Sequence, residues 1–553
     1  MTANRGLIAA GIVVALVAVV GGAALLNKPA APPGPTATSA AVIPTPYIAS
    51  PSFHIPASPE IVETPAPTRL PRPTETPPRP TETPPQPTET PPQPPLVEMP
   101  FVPVVGFWST RTEISRQELL DAARGTSAQF STFLVPTGDE ASIADMLAQG
   151  MTFQTGTVAE IELAVKQDGV LGILRATDVS QRVRALAVDG VSVFGNHRVV
   201  DVDDWPLLGH VVTTEGWDQA ALWTLVAAGD VMMDRAATRI TLIDGEGGDY
   251  LFDGGTARIT GMRCCSSWRG DLLPIRERTG NRGLVRELLT RADLAISNLE
   301  TAVLVDAPYH RGGFTLTADV TLLDAVDRAG LDFMSVGNNH IRDAYEHGLL
   351  TAIRELDARG IAHSGAGLGP DAGDPGYLDA NGVRIAVISC EDIVPEWVAD
   401  RNTVGTFNCS LSDVAGRVRK VRPTADLVIV FPHWGRQYRP VPVSYERELA
   451  ADWVSAGADM VIGMHSHVAG AIEDIDGRVV FYSLGNFVFD MEYRQSTVMG
   501  VVPEMTFSGT ELIQIELHAT LLVDTQPNLV APEDGGDFVF DQMREASEGL
   551  LDY

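Results

Sequence analysis

From Ala220 onward, short apolar runs alternate with amphipathic helical segments, and no other feature constrains the fold of this chain as tightly. The runs read LWTLVAAGD, ADLAISNLE, LDFMSVGNNH, ADLVIVFPHWG and ADMVIGMHSH, with segments such as TLLDAVDRAG and GLLTAIRELDARG between them. Strands that are apolar throughout are covered on both faces, and strands alternating with helices make an α/β domain. Each run stops at residues that carry chemistry: Asp230, Asn298 with Glu300, Asn338-Asn339-His340, His433, and His465 with His467. In open α/β sheets ligands bind outside the carboxyl ends of the strands. One such ending is an ordinary turn, and a lone H-x-H fits core packing as well as it fits a ligand pair. Five endings in one domain, three of them containing histidine, point instead to convergence on one site. Mixed carboxylate, amide and imidazole donors suit one or two divalent cations, Mn, Fe or Zn.

Around that domain the composition changes sharply. Residues 6–26, GLIAAGIVVALVAVVGGAALL, hold no charge. A helix of this length spans roughly 30 Å, a bilayer core, whereas the apolar part of a secretory signal has about 7–15 residues. An uncleaved transmembrane anchor is therefore expected. Over 28–100 proline and threonine dominate, with RPTETPP, RPTETPP and QPTETPP in succession. Proline fixes φ and removes backbone donors, so this stretch is expected as an extended stalk on the outer face of a cell membrane. Residues 101–216 read as a small α/β domain of unknown role. Its opening, VPVVGFWSTRTEISRQELLDA, faintly resembles the start of a periplasmic solute-binding domain of the phosphate type. Residues 220–525 hold the strand–helix repeats, and 526–553 read as an acidic tail.

The chain of 553 residues has 71 acidic and 40 basic side chains, a net charge of −31, which argues against a nucleic-acid partner. Its four cysteines form no C-x-x-C pattern, which argues against a zinc knuckle. In an oxidising compartment a Cys390–Cys409 bridge is expected, with bridges from Cys264 or Cys265 to either partner still open. The adjacent Cys264 and Cys265 are not expected to pair with each other.

The motifs GDVMMDR, SNLE, GNNH, FPHWG, GMHSHV and YSLGNFVFD occur in that order over about residues 220–520. In this the chain resembles the CapA family of poly-γ-glutamate capsule-biosynthesis proteins, which is related to the calcineurin-like metallophosphoesterases. The resemblance implies a four-layer α/β/β/α metallophosphoesterase-like sandwich with a metal centre between its two sheets. Carried over, Asp230 and His467 would hold a first metal, and Asn339, His433 and His465 a second. Glu300 would take the bridging-carboxylate place, although simple alignment puts Asn298 there. His340 would face the substrate as proton donor or charge stabiliser.

One departure stands out. The superfamily begins its first block D-x-H, and this chain has Asp230-Val231-Met232, whose thioether is a poor ligand for a hard dication. Asp234 is read as a helix N-cap rather than a replacement ligand. Arg235, Trp434 and Arg436 flank the motifs and are candidates for holding an anionic substrate. Gly485-Asn486 reads as a tight turn beside the site, and His363 as a loop residue.

Two functions follow from these readings. One is a metal-dependent, phosphoesterase-like hydrolase serving capsule or surface-polymer synthesis. Its substrate would be an anionic polymer or phosphoester, and its partners membrane proteins of capsule synthesis. The other is a non-catalytic component that holds or exports the polymer.

Overall fold

The computed structural model describes residues 95–147, 151–266, 270–410 and 412–553, all within one unit, Thr90–Tyr553. The expected anchor over 6–26 and nearly all of the expected stalk lie outside the described residues. Among the described residues no helix is long and apolar enough to cross a membrane.

Folded structure begins with the strand Leu96–Gly106, a few residues before the expected start at Phe101. The reason is pairing: Leu96 to Pro100 run antiparallel to Leu208–Val212. This strand is central to a six-stranded sheet that also contains Thr132–Pro136 and Val170–Arg175. The sheet has its own apolar core around Phe101, Val104, Ile143, Ile161 and Ile173. It docks on the rest of the chain through Arg184–Glu516 (3.0 Å), Arg182–Asp474 (3.3 Å) and Asn196 Nδ2 on the Leu288 carbonyl (3.0 Å).

Beyond it lie a ten-stranded and a second six-stranded sheet. In the first, Leu222–Val231, Leu294–Leu299, Phe333–Ser335 and Ala362–Ser364 run parallel. In the second, Val383–Glu391, Leu427–His433, Met460–Ile462 and Arg478–Phe481 do the same. Alternation along each strand decides what faces what. Trp223, Leu225 and Ala227, with Leu294 and Ile296, pack against Leu427, Ile429, Phe431 and Ile462 of the other sheet. Their neighbours Val226, Ala228 and Ala295 face helices Leu284–Arg291 and Tyr345–Arg359. Val428 and Val430 face helices Val414–Val421 and Ser444–Ala456. Both faces are thus buried, which is why these strands read as unbroken apolar runs.

Two expectations need correction. Residues 526–553 are not a tail. Gln526–Leu529 is a strand of the ten-stranded sheet, and helix Asp537–Ala546 buries Val539 and Met543 in the core between the sheets. Charge marks only the solvent face of that amphipathic segment. Second, Cys264 and Cys265 are bridged to each other, with Cα atoms 3.1 Å apart. Cys390 and Cys409 are bridged as expected, with Cα atoms 5.0 Å apart.

Candidate metal centre

The inward register of the strands runs on past their ends. On Leu294–Leu299 it continues from Leu294 and Ile296 to Asn298 and then Glu300, and on Leu427–His433 from Ile429 and Phe431 to His433. Asp230 is out of phase with Trp223, Leu225 and Ala227. The pairing shifts between Ile296 and Asn298, and this bulge re-aims Asp230 inward. Gly229 allows it: a Cβ there would stand 2.1 Å from the Gly485 carbonyl oxygen. After Met464 the chain turns at His465 (φ 91°) and His467 (φ 57°), left-handed conformations that bulky residues rarely adopt. Such strain gathers at functional sites.

These ends bring five side chains together, all buried. Glu300, His433 and His465 form one triad and Asp230, Glu300 and His467 another, with the offered atoms of each triad within 4.8 Å of one another. Glu300 belongs to both. Its Oε1 lies 3.7 Å from His433 Nε2, 3.8 Å from His467 Nε2 and 4.0 Å from His340 Nε2. Asn298 serves otherwise: its Nδ2 donates to Asp230 Oδ1 (2.8 Å) and its Oδ1 accepts from Asn338 (3.0 Å). Asn339 Oδ1 pairs with His433 Nε2 at 2.8 Å, and His433 Nε2 with His465 Nδ1 at 3.0 Å. Asn486 Oδ1 pairs with His467 Nδ1 at 2.9 Å, so the Gly485-Asn486 turn orients a ring of the cluster. Asp343 holds His340 through Nδ1 (2.7 Å).

Burial sets the electrostatics. It pushes the Asp230 carboxyl up to about 7. It pushes Glu300 well above the ordinary carboxylate range, and the carboxylate of Asp230 adds to this. Burial, then the neighbouring imidazoles, hold His433 and His465 well below the usual imidazole range, and His467 goes down to about 3. A bound cation would reverse this logic for every group. The donors fit one. Among the described residues no N–H donates to either buried Glu300 oxygen, and the acidic group that meets it is the Asp230 carboxyl, an arrangement that is costly unless a proton or a cation sits between them. Two carboxylates and three imidazoles match the preferences of Mn, Fe or Zn.

The remaining candidates separate. Arg235 lies near enough for its charge to act on Glu300 and His467, and its guanidinium is held by Asp490 and the Gly313 carbonyl (3.1 Å). Trp434 is not at the crevice. It follows inward-facing His433, so alternation sends it to the other face, where it stacks on Trp453 (5.2 Å) and Tyr482 (5.7 Å). Arg436 is exposed and acts on the Glu446 carboxylate instead. Asp234 is neither cap nor ligand; it binds His310 Nδ1 and the Thr317 amide. Met232 is buried in the core between the sheets, its sulfur accepting the Asp234 amide at 3.2 Å. Sequence reasoning passed over Asp343 and His310, and named Asn338 as a strand ending without giving it a role. Asp343, three residues after His340, was within reach as an i,i+3 partner.

Fold and site together define a mixed α/β protein with a buried acid–histidine centre between two sheets. Residues 224–491 match the family described as "Bacterial capsule synthesis protein PGA_cap", which supports the resemblance of this region to the CapA family. It is 28% identical over 242 residues to the capsule biosynthesis protein CapA of Bacillus anthracis, covering 42% of this chain and 59% of that protein. It is 28% identical over 252 residues to a probable polyglutamine synthesis accessory protein of Mycobacterium tuberculosis, covering 43% of this chain and 63% of the relative. The chain thus spans about three fifths of the length of these relatives. Among solved structures, the NAD nucleotidase of Haemophilus influenzae is similar at 13% identity and a TM-score of 0.32, covering 59% of this chain and 62% of that one. Likeness at that level says nothing about chemistry.

Proposed function

We propose that this chain is an accessory protein of poly-γ-glutamate or related surface-polymer synthesis, and that its crevice is a metal-dependent phosphoester hydrolase site in a four-layer metallophosphoesterase-like sandwich. The observation that carries the hydrolase reading is Glu300, buried, with no N–H donor on it among the described residues, and shared by two ligand triads. Asp230, Glu300 and His467 would hold one cation, and Glu300, His433, His465 and Asn339 a second. Bound there, cations would supply Lewis acidity and a water made acidic enough to attack near neutral pH. The chain's own part is positional. Asn298 fixes Asp230, Asn486 fixes His467, and Asp343 fixes His340 so that Nε2 meets the oxygens of the transferring group. Arg235 brings positive charge to the crevice for an anionic substrate. Residues 6–26 would anchor the chain in a cell membrane with the folded part outside, near the membrane proteins of polymer assembly.

The test is metal analysis of the purified full chain together with an assay on aryl phosphodiesters. His465→Ala and His467→Ala should lower bound metal and hydrolysis together while the circular dichroism spectrum holds. Met232 favours a second reading, a polymer-holding component, because a thioether stands where the superfamily places histidine. Metal at full occupancy with no turnover of any ester would select that reading. Protease shaving of intact cells should release a soluble fragment; a folded part cut only after lysis would overturn the topology.

A further inference from the structure

The loop between strands Ala302–Leu304 and Thr317–Asp319 is tied to Arg235, which donates to the Gly313 carbonyl (3.1 Å). From Val305 to Thr315 its residues are exposed apart from Ala307 and His310. His310 turns inward to a fully buried carboxylate, with Nδ1 at 2.6 Å from Asp234 Oδ2. Asp234 also accepts the amides of Arg235 (2.5 Å) and Thr317 (2.7 Å). A carboxylate receiving such donors fixes the proton of the imidazole on Nδ1 and leaves Nε2 to a second partner. The side chain keeps 26% of its surface exposed, so the ring is within reach of a ligand.

Position ties this ring to the metal centre. Leu316 and Thr317 are consecutive, and their amides go to two different carboxylates, Asp343 (2.7 Å) and Asp234 (2.7 Å). Asp343 holds His340, whose Nε2 is 4.0 Å from Glu300. Two carboxylate-held imidazoles therefore hang from one dipeptide, and one of them, His340, meets Glu300. Arg235 closes the loop from the other side through Gly313.

We propose that His310 is a second substrate-contacting imidazole of this crevice and the proton donor to the leaving oxygen of the phosphoester; this rests on the hydrolase reading above. His340, nearer the ligand triads, is left to the transferring group. A water oxygen bonds to phosphorus and the bond from phosphorus to the leaving oxygen breaks. The leaving oxygen keeps the electron pair and takes the Nε2 proton of the His310 imidazolium, while Asp234 keeps the Nδ1 proton and offsets the charge of the ring. The proton lost by the water makes good the one that His310 gave, so ester and water become alcohol and phosphate.

Two measurements on the zinc-loaded full chain test this. In the first, His310→Gln is compared with the unaltered protein on aryl methyl phosphates of graded leaving-group acidity. The loss of kcat should reach about 100-fold for the least acidic phenol and fall below about threefold for 2,4-dinitrophenol, which leaves without help. Asp234→Asn should follow the same trend. In the second, inorganic phosphate is titrated while the His310 ring is followed by nitrogen NMR, its signal assigned by its absence in His310→Gln; the Nε2 resonance should move. A uniform loss across the esters, with zinc content unchanged, overturns the donor role. A resonance indifferent to phosphate overturns the contact, whether or not esters turn over. If no ester turns over and the resonance still moves, the hydrolase reading falls and takes the donor role with it, while the contact stands.

Discussion

Glu300 shows what a single residue decides here. In SNLE two side chains compete for the bridging place, and spacing alone leaves the choice open. The structure separates them by what they touch: Asn298 spends its amide on Asp230 and Asn338, while Glu300 faces three imidazoles. Glu300→Gln should therefore cut divalent-metal affinity by about 100-fold, read by titration calorimetry. The metal-free melting temperature should barely move, because burial already favours the neutral form of that carboxyl and glutamine has its shape. The pH dependence of metal binding follows from the same cluster. In the folded, metal-free protein Asp230 holds its proton up to about pH 7 and Glu300 is shifted in the same direction, so a cation must displace protons to bind. The three imidazoles are held below their usual range, which favours the neutral form that binds a cation, so the carboxyls are the groups that compete. Affinity should rise as pH climbs through 7, and added Mn should raise the melting temperature more at pH 8 than at pH 5.5. Equal increments at both values would contradict this assignment.

At the scale of the element, the bulge in Leu222–Val231 is the decisive irregularity. Strand period alone would send Asp230 outward with Val226 and Ala228, onto the helices. The bulge turns it inward, and it depends on the backbone of Gly229 passing close to that of Gly485. Gly229→Ala should cost about 1–3 kcal/mol in urea unfolding, as overpacking does. It should also lower metal content, because Asp230 moves with its backbone. A variant of native stability and full metal content would show that the close approach is not what holds the aspartate. Trp434 makes the complementary point. Its place beside His433 in FPHWG suggested the site, yet one step along a strand is a change of face.

For the whole molecule, the segment 526–553 matters more than its composition suggests. Helix Asp537–Ala546 lies against the core between the sheets, and residues after it reach both sides of the fold. The Leu550 carbonyl accepts the Asp474 amide (3.2 Å), and Asp552 pairs with Lys166 of the first sheet's region (3.1 Å). Met543→Ala should destabilise the chain by about 2–5 kcal/mol in denaturant unfolding, as removal of a fully buried methionine does. A loss below about 1 kcal/mol would mean that the helix is an appendage after all.

What the sequence determined by itself is local and periodic. Unbroken apolar runs require strands buried on both faces, and polar stops at their carboxyl ends mark where ligands gather, so the α/β class and the neighbourhoods of all five clustered side chains were legible in LWTLVAAGD, SNLE, FPHWG and GMHSH. Only the tertiary structure decided what depends on contact across elements. It assigned Glu300 over Asn298, sent Trp434 to the outer face, bound His310 to Asp234 across 76 positions and drew the C-terminal segment into the core. The physical reason is that periodicity fixes which face a side chain takes along one element, whereas its partner depends on how separate elements pack. That packing places groups far apart in the chain within a few ångströms, at distances no local pattern encodes.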